Sequence, residues 1–192
     1  FGPSQIRLQV VSDKIIRVQA TAEQSFRNKQ SLIIVPQNSK ANYKVEEQGD
    51  NLIITTAAMR AVMNEATGQI TFYDLKDNVL LNEVAQGGKT FKPFTVPDRE
   101  IGVDIAKVPE AQKHGWSWRA LFNSPDNEAF YGLGQHQSEE LNMKGKNEDL
   151  FQYNTKVSVP FVISNKNYGI LWDSYSYCRW GNPEDYLQLN RA

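Results

Sequence analysis

Glu139, Glu140, Glu148 and Asp149 fall within one polar stretch, Gln135 to Thr155. Glycoside hydrolysis needs two carboxyl groups facing one bond, about 5 to 9 Å apart. Spacing along a loop does not establish that geometry. Acids in a polar loop are ordinarily solvated, and Lys144 and Lys146 make the charge of this stretch mixed. His114 and His136 are the only histidines. No His-x-x-x-His or Cys-x-x-Cys spacing and no G-x-S-x-G elbow occurs, so the sequence implies no metal site, no nucleophilic triad and no cofactor. Tyr131-Gly132-Leu133-Gly134 lacks the Lys-Ser/Thr end and the following helix of a phosphate loop. Its glycines read as a strand end where backbone must approach closely or adopt positive φ. Trp116 and Trp118 lie two apart and would share one face of a strand, and Trp172, Tyr175, Tyr177 and Trp180 cluster further on. Indole stacking on sugar faces is a real recognition device, but core packing or a domain interface is the commoner use of such residues.

Composition narrows the classes of partner. Lys plus Arg is 21 and Asp plus Glu is 22 in 192 residues, a formal charge of −1. A near-neutral chain has no electrostatic case for nucleic acid or an anionic membrane, and no apolar run approaches the roughly 20 residues that span a bilayer. Cys178 is the single cysteine and reads as a small buried apolar residue. The chain begins at Phe1 with no basic-then-apolar leader, which reads as a processed or engineered terminus; a periplasmic or secreted location is the expectation.

The elements that must position these residues are strands. Ile6, Leu8 and Val10 alternate with polar residues, as do Ile16, Val18 and Ala20; Leu52 and Ile54 follow the turn Gly49-Asp50-Asn51. Met59, Ala61 and Met63 share one parity, Ile70 and Phe72 follow Thr67-Gly68, and Asp77-Asn78 turns into Val79-Leu80-Leu81. Val157, Val159, Phe161 and Ile163 form another period-two set. Such sets lie on one face of a sheet, and short strands between Gly, Asn and Asp turns predict an all-β, mostly antiparallel sandwich or barrel. Helix signals are confined to single turns at Pro109 to Lys113 and Ser138 to Met143. Gln86 to Pro109 and Gln135 to Thr155 read as loops, the second held by few apolar anchors: Leu141, Met143, Leu150 and Phe151.

From Phe130 to Tyr177 the order of motifs is more specific. FYGLGQ resembles the F-Y-G-L-G-E signature of family 31 glycoside hydrolases, and FQYNTKVSVPFVISNKNYGILWDS resembles the family's N-x-D or Q-Y-N-T segment, its S-x-P-F strand and its Y-G-I/L-W-D/N strand. The strand from Ile15 to Val18 and the segments GQITFYD and LKDNVLLNE resemble hairpins of the same N-terminal domain. The resemblance implies an antiparallel β-sandwich of the galactose-mutarotase-like supersandwich type with few short helices, spanning 1–192 as one domain. It also implies a fragment of a larger enzyme whose (β/α)₈ barrel, absent here, carries an Asp nucleophile and an Asp acid/base for retaining hydrolysis of α-glycosides. The partners implied are that barrel and an oligosaccharide or α-glycoside substrate. The domain itself is expected to be inactive, lending Gln152, Asn154 and Asp149 to the substrate site. Here Q-Y-N-T stands where α-glucosidases have W-N-R-D-T, so Asn154 takes the place of an Asp, and Gln135 replaces the Glu of G-L-G-E. The Q-Y-N-T form is more similar to bacterial α-xylosidases than to α-glucosidases. Two other classes compete: an independent carbohydrate-binding module, suggested by the aromatics, and an aldose mutarotase, which needs a positioned acid and base.

Overall fold

Residues 2–27, 30–35, 41–86, 88–95, 104–137 and 140–181 are described by a computed structural model. Ser138, Glu139 and the residues from 182 onward lie outside the described set. The chain divides into two compact units. The first runs to Asn123 apart from Ser31–Val35; the second takes that short segment and everything from Ser124.

In the first unit β1 (Gln5–Ser12) and β2 (Ile15–Thr21) form a hairpin. The main sheet is built from β3 (Tyr43–Gln48), β4 (Asn51–Thr56), β5 (Arg60–Asn64), β6 (Ile70–Tyr73) and β7 (Val79–Glu83). A second hairpin pairs β8 (Lys89–Thr95) with β9 (His114–Ala120), and β10 (Phe122–Asn123) then joins the main sheet beside β7. The main sheet has the order β10-β7-β6-β5-β4-β3: β3 to β7 form an antiparallel meander, and β10 returns after the β8–β9 hairpin to pair antiparallel with β7. Its register aligns Val45, Ile54, Ala61, Phe72 and Leu81 in one row across the strands. Ile54, Ala61 and Ile70 are buried, so the predicted parity faces the core. Asp74 holds the β6–β7 turn by accepting the Lys76 and Asn78 amides at 2.8 and 2.9 Å, which lets Asp77 adopt φ +64°.

Two expectations need correction. Gln86 to Pro109 is not one loop, since it contains strand β8 and a 3-10 turn at Ile105–Lys107. Lys89, Lys92 and Pro93 sit on a two-stranded ribbon, where each strand has one partner and a missing donor is tolerated. The single helical turn expected at Pro109 to Lys113 forms as α1 (Glu110–Lys113), whereas residues 140–143 are not helical.

Glu83 occupies the inward parity of β7 and is only 3% exposed. Its carboxylate accepts the Ile70 amide at 2.8 Å and pairs with the Lys89 ammonium, which also donates to the Gly68 carbonyl at 3.0 Å. Burial raises the Glu83 carboxyl above its ordinary range, against the opposing pull of Lys89.

In the second unit β13 (Val157–Ser164) lies between β11 (Phe130–Gln135) and β14 (Tyr168–Leu171), while β12 (Glu148–Leu150) pairs with β15 (Cys178–Trp180). Phe130, Leu133, Met143 and Val162 form the buried cluster, with Leu150, Tyr168, Ile170 and Trp180 packed against it. Val157, Val159, Phe161 and Ile163, the alternate set on β13, are exposed, as are Tyr131 and Leu171 opposite Ile163 and Phe161. Cys178 is half-buried, its thiol 3.1 Å from the Ser176 carbonyl.

The FYGLGQ segment owes its shape to positive φ at three successive residues: Gly132 at 129°, Leu133 at 67° and Gly134 at 101°. The β11–β13 register shifts between Gly132 and Gly134, which turns Leu133 into the core at 2% exposure. Pro160 lies on β13 opposite this interruption, so a residue with no amide hydrogen is accommodated in a central strand.

Glu128 is buried beneath this sheet and accepts the Ser164 and Tyr168 hydroxyls, each at 2.6 Å. Burial, and then the Glu128 carboxylate, push the Tyr168 phenol far above its ordinary value. Tyr168→Phe should cost about 1.5 kcal/mol near neutrality. An unfolded tyrosine ionises near pH 10, so the stability Tyr168 contributes is full below that point and is lost as pH rises through its folded value. The difference between wild type and Tyr168→Phe in urea unfolding should therefore shrink above about pH 10. A difference that stays constant with pH would reject this account of Tyr168.

Candidate functional site

The stretch from Gln135 to Thr155 is better anchored than its polarity suggested. Met143 is buried, its amide donates to the Phe130 carbonyl at 2.8 Å, and its own carbonyl accepts the Trp180 indole N–H at 3.0 Å. Asn142 accepts the amides of Phe130 and Lys144, both at 3.0 Å. Leu150 packs on the core, while Leu141 and Phe151 are exposed. The short strand β12 within this stretch is fixed by pairing Glu148, Asp149 and Leu150 with Trp180, Arg179 and Cys178.

The described acids of this stretch are held by different cations. Glu140 pairs with Lys146 at 2.6 Å on the surface. Glu148 pairs with the buried Lys156, and the buried His136 ring places Nδ1 3.2 Å from the same carboxylate oxygen. That approach lacks hydrogen-bond alignment, whereas His136 Nε2 bonds well to the Leu133 carbonyl at 2.7 Å. Asp149 lies 3.3 Å from Arg179 and accepts the Tyr177 hydroxyl; Arg179 Nε donates to that same hydroxyl oxygen at 2.7 Å. Partial burial and then the Asp149 acceptor raise the Tyr177 phenol above its ordinary value.

Of the residues proposed from sequence to meet substrate, Gln152 and Asn154 sit on one exposed turn just beyond β12, which carries Asp149. The turn is closed by the Lys156 amide donating to the Tyr153 carbonyl at 3.1 Å. The Gln152 side chain spans it, donating to the Lys156 carbonyl at 2.8 Å and accepting the Ser158 amide at 3.0 Å. Asn154 is exposed and its side chain does not close the turn. The turn therefore offers a free amide at 154, a committed amide at 152 and an ion-paired carboxylate at 149. Lys156, His136 and Glu148 were not singled out together from sequence, because nothing local shows that a strand pairing will bury them against one another. His114 is exposed, with Nε2 2.9 Å from Glu110.

The aromatic pair on β9 also has a definite geometry. Trp118 stacks on Phe91 at 6.3 Å and 18°, whereas Trp116 meets the same ring edge-on at 6.5 Å and 86°. The two indole planes are thus steeply inclined to one another and do not form a flat platform.

Comparison with known proteins supplies the wider frame. The sequence profile described as the glycosyl hydrolase 31 N-terminal galactose mutarotase-like domain matches residues 5–180. An uncharacterized family 31 glucosidase of Pseudescherichia vulneris is 26% identical over 183 residues, covering 91% of this chain and 34% of the relative. An α-xylosidase of Saccharolobus solfataricus is 25% identical over 177 residues, covering 92% of this chain and 23% of the relative. Among solved structures, the α-xylosidase of Xanthomonas citri superposes with a TM-score of 0.80 at 38% identity over 93% of this chain and 18% of its own. The chain thus spans about a third or less of the length of these relatives. Its antiparallel sheets are those of a galactose-mutarotase-like β-sandwich, and the chain belongs to the glycosyl hydrolase 31 N-terminal galactose mutarotase-like domain family.

Proposed function

We propose that residues 1–192 act as the non-catalytic N-terminal domain of a retaining α-glycoside hydrolase, an α-xylosidase in preference to an α-glucosidase. In this reading the domain packs on a catalytic (β/α)₈ barrel and lends the turn around Gln152 and Asn154 to the substrate site. The observation that carries it is the resemblance to the Xanthomonas citri α-xylosidase along 93% of this chain, which takes up only 18% of that enzyme. The exposed turn supports the contribution to the site: the Asn154 amide is free to hydrogen-bond a sugar hydroxyl, and Gln152 braces the turn that presents it.

The test has two arms. The 192-residue chain should not turn over chromogenic α-xylosides or α-glucosides, and activity that survives repurification would overturn the non-catalytic reading. In the enzyme carrying the domain, Asn154→Ala should lower kcat/KM about threefold to tenfold, the worth of one hydrogen bond to an uncharged sugar. Unchanged kcat/KM with an unchanged melting temperature would remove Asn154 from the substrate site. Sugar titration of the isolated chain separates this reading from a binding module, which would bind by itself. The inclined Trp116 and Trp118 planes argue against the module.

A further inference from the structure

Lys156 is an unusual residue to bury. Its side chain is 7% exposed, and an ammonium in that setting must find replacements for its lost water. It finds them on β12, donating to the Glu148 carboxylate and to the Asp149 backbone carbonyl. Its own backbone completes the turn, the amide bonding to Tyr153 and the carbonyl accepting from Gln152. Both ends of the segment 148–156 are therefore gathered at one residue. The buried His136 ring lies against the same Glu148 oxygen, Nδ1 3.2 Å away without hydrogen-bond alignment, and is itself tied through Nε2 to Leu133 in the glycine-flanked bulge. A chain of contacts thus runs from the bulge of β11 through His136, Glu148 and Lys156 to the turn that carries Gln152 and Asn154.

We infer that Lys156 is a positioning residue for substrate binding: a buried cationic pin that sets the height and orientation of the 152–154 turn without touching substrate. This rests on the reading that the turn meets the sugar. A pin acting through Asn154 changes how well the site holds its ligand, not the bond-making step, so its loss should fall on KM.

The experiment compares Lys156→Met and Lys156→Arg in the enzyme carrying the domain, with amide hydrogen exchange and steady-state kinetics on a chromogenic α-xyloside. Lys156→Met should speed exchange at residues 148–158 while 130–132 stay protected, and should raise KM about tenfold with kcat within about twofold. Lys156→Arg, which keeps a cation, should recover much of both. Should Lys156→Met fail to fold because Glu148 is left uncompensated, Lys156→Met combined with Glu148→Gln removes both charges, and the same loosening is expected of it. Unchanged exchange at 148–158 in a folded variant overturns the pin. Faster exchange with unchanged KM leaves the pin as architecture but overturns its role in binding, and with it the placement of the turn against substrate. A fall in kcat with KM unchanged also overturns the inference.

Discussion

Lys89→Met should destabilise the first unit by about 3–5 kcal/mol at neutral pH, because it leaves the Glu83 carboxylate buried without its cation. Glu83 also holds the Ile70 amide at the edge of the core, so the damage cannot be escaped by swinging the carboxylate toward water without orphaning that donor. The pH dependence identifies the cause. Burial already raises the Glu83 carboxyl, and removing Lys89 takes away both its hydrogen bond and its charge, each of which lowers it. A carboxyl raised in the fold contributes stability that is full below its unfolded value of about 4.3 and is lost as pH climbs through the folded value. The deficit of Lys89→Met measured by urea unfolding should therefore be smaller at pH 5 than at pH 7.5. Adding Glu83→Gln, which keeps an acceptor for Ile70 while discarding the charge, should restore most of the loss at pH 7.5. A deficit independent of pH, or no recovery in the double variant, would show that Lys89 matters through its methylenes and not its charge.

Gly134→Ala should cost about 2–5 kcal/mol and disrupt the β11–β13 pairing. A methyl built there would meet the Val157 carbonyl oxygen at 2.0 Å and the Val159 nitrogen at 2.9 Å, and both are backbone atoms that cannot rotate away. The residue also holds φ at +101°, outside the small left-handed well that other residues tolerate. Gly145 is the control. It has φ +70° but open space around its Cα, so Gly145→Ala should cost only the left-handed conformation itself, about 1–2 kcal/mol. Equal melting temperatures for the two variants would mean that close approach of β13 is not what the second glycine of FYGLGQ serves.

Much of the fold was legible because burial is one-sided. The alternations at Ile6, Leu52 and Ile70 each fall on an observed strand, since a sheet with one buried face imposes period two on its sequence; that at Val157 also falls on a strand, but there the apolar set is the exposed one. Tyr43–Gln48 escaped notice because only Glu46 of that edge strand is even half-buried, which leaves no apolar alternation to read. Strand β12 has three residues, too few to carry a period. The glycines of FYGLGQ were legible as positive-φ positions, for the residue type itself reports the backbone. The polar interior was not: Glu83 meets Lys89, Glu128 meets Tyr168 and Glu148 meets Lys156 only after strands have paired. A charged residue read in isolation is expected at the surface. The candidate turn shows the same limit. Gln152 and Asn154 became candidates by resemblance, but that one amide is committed to the turn and the other free depends on hydrogen bonds that residue types do not announce.

Pro160 has a consequence for a strand whose outer face is apolar and exposed. Val157–Ser164 is uncharged, rich in Val, Phe and Ile, and carries an exposed apolar stripe. Such a segment is otherwise suited to stacking copy upon copy into a cross-β ribbon, where every backbone N–H must find a carbonyl in the next chain. The ring at 160 removes one donor from the middle of each copy, and identical chains stacked in register would repeat the gap at every layer. The bulge that accommodates the proline in the native sheet has no counterpart in a flat ribbon. A proline in the middle of a central strand is therefore also the residue that a cross-β stack of this segment would tolerate least.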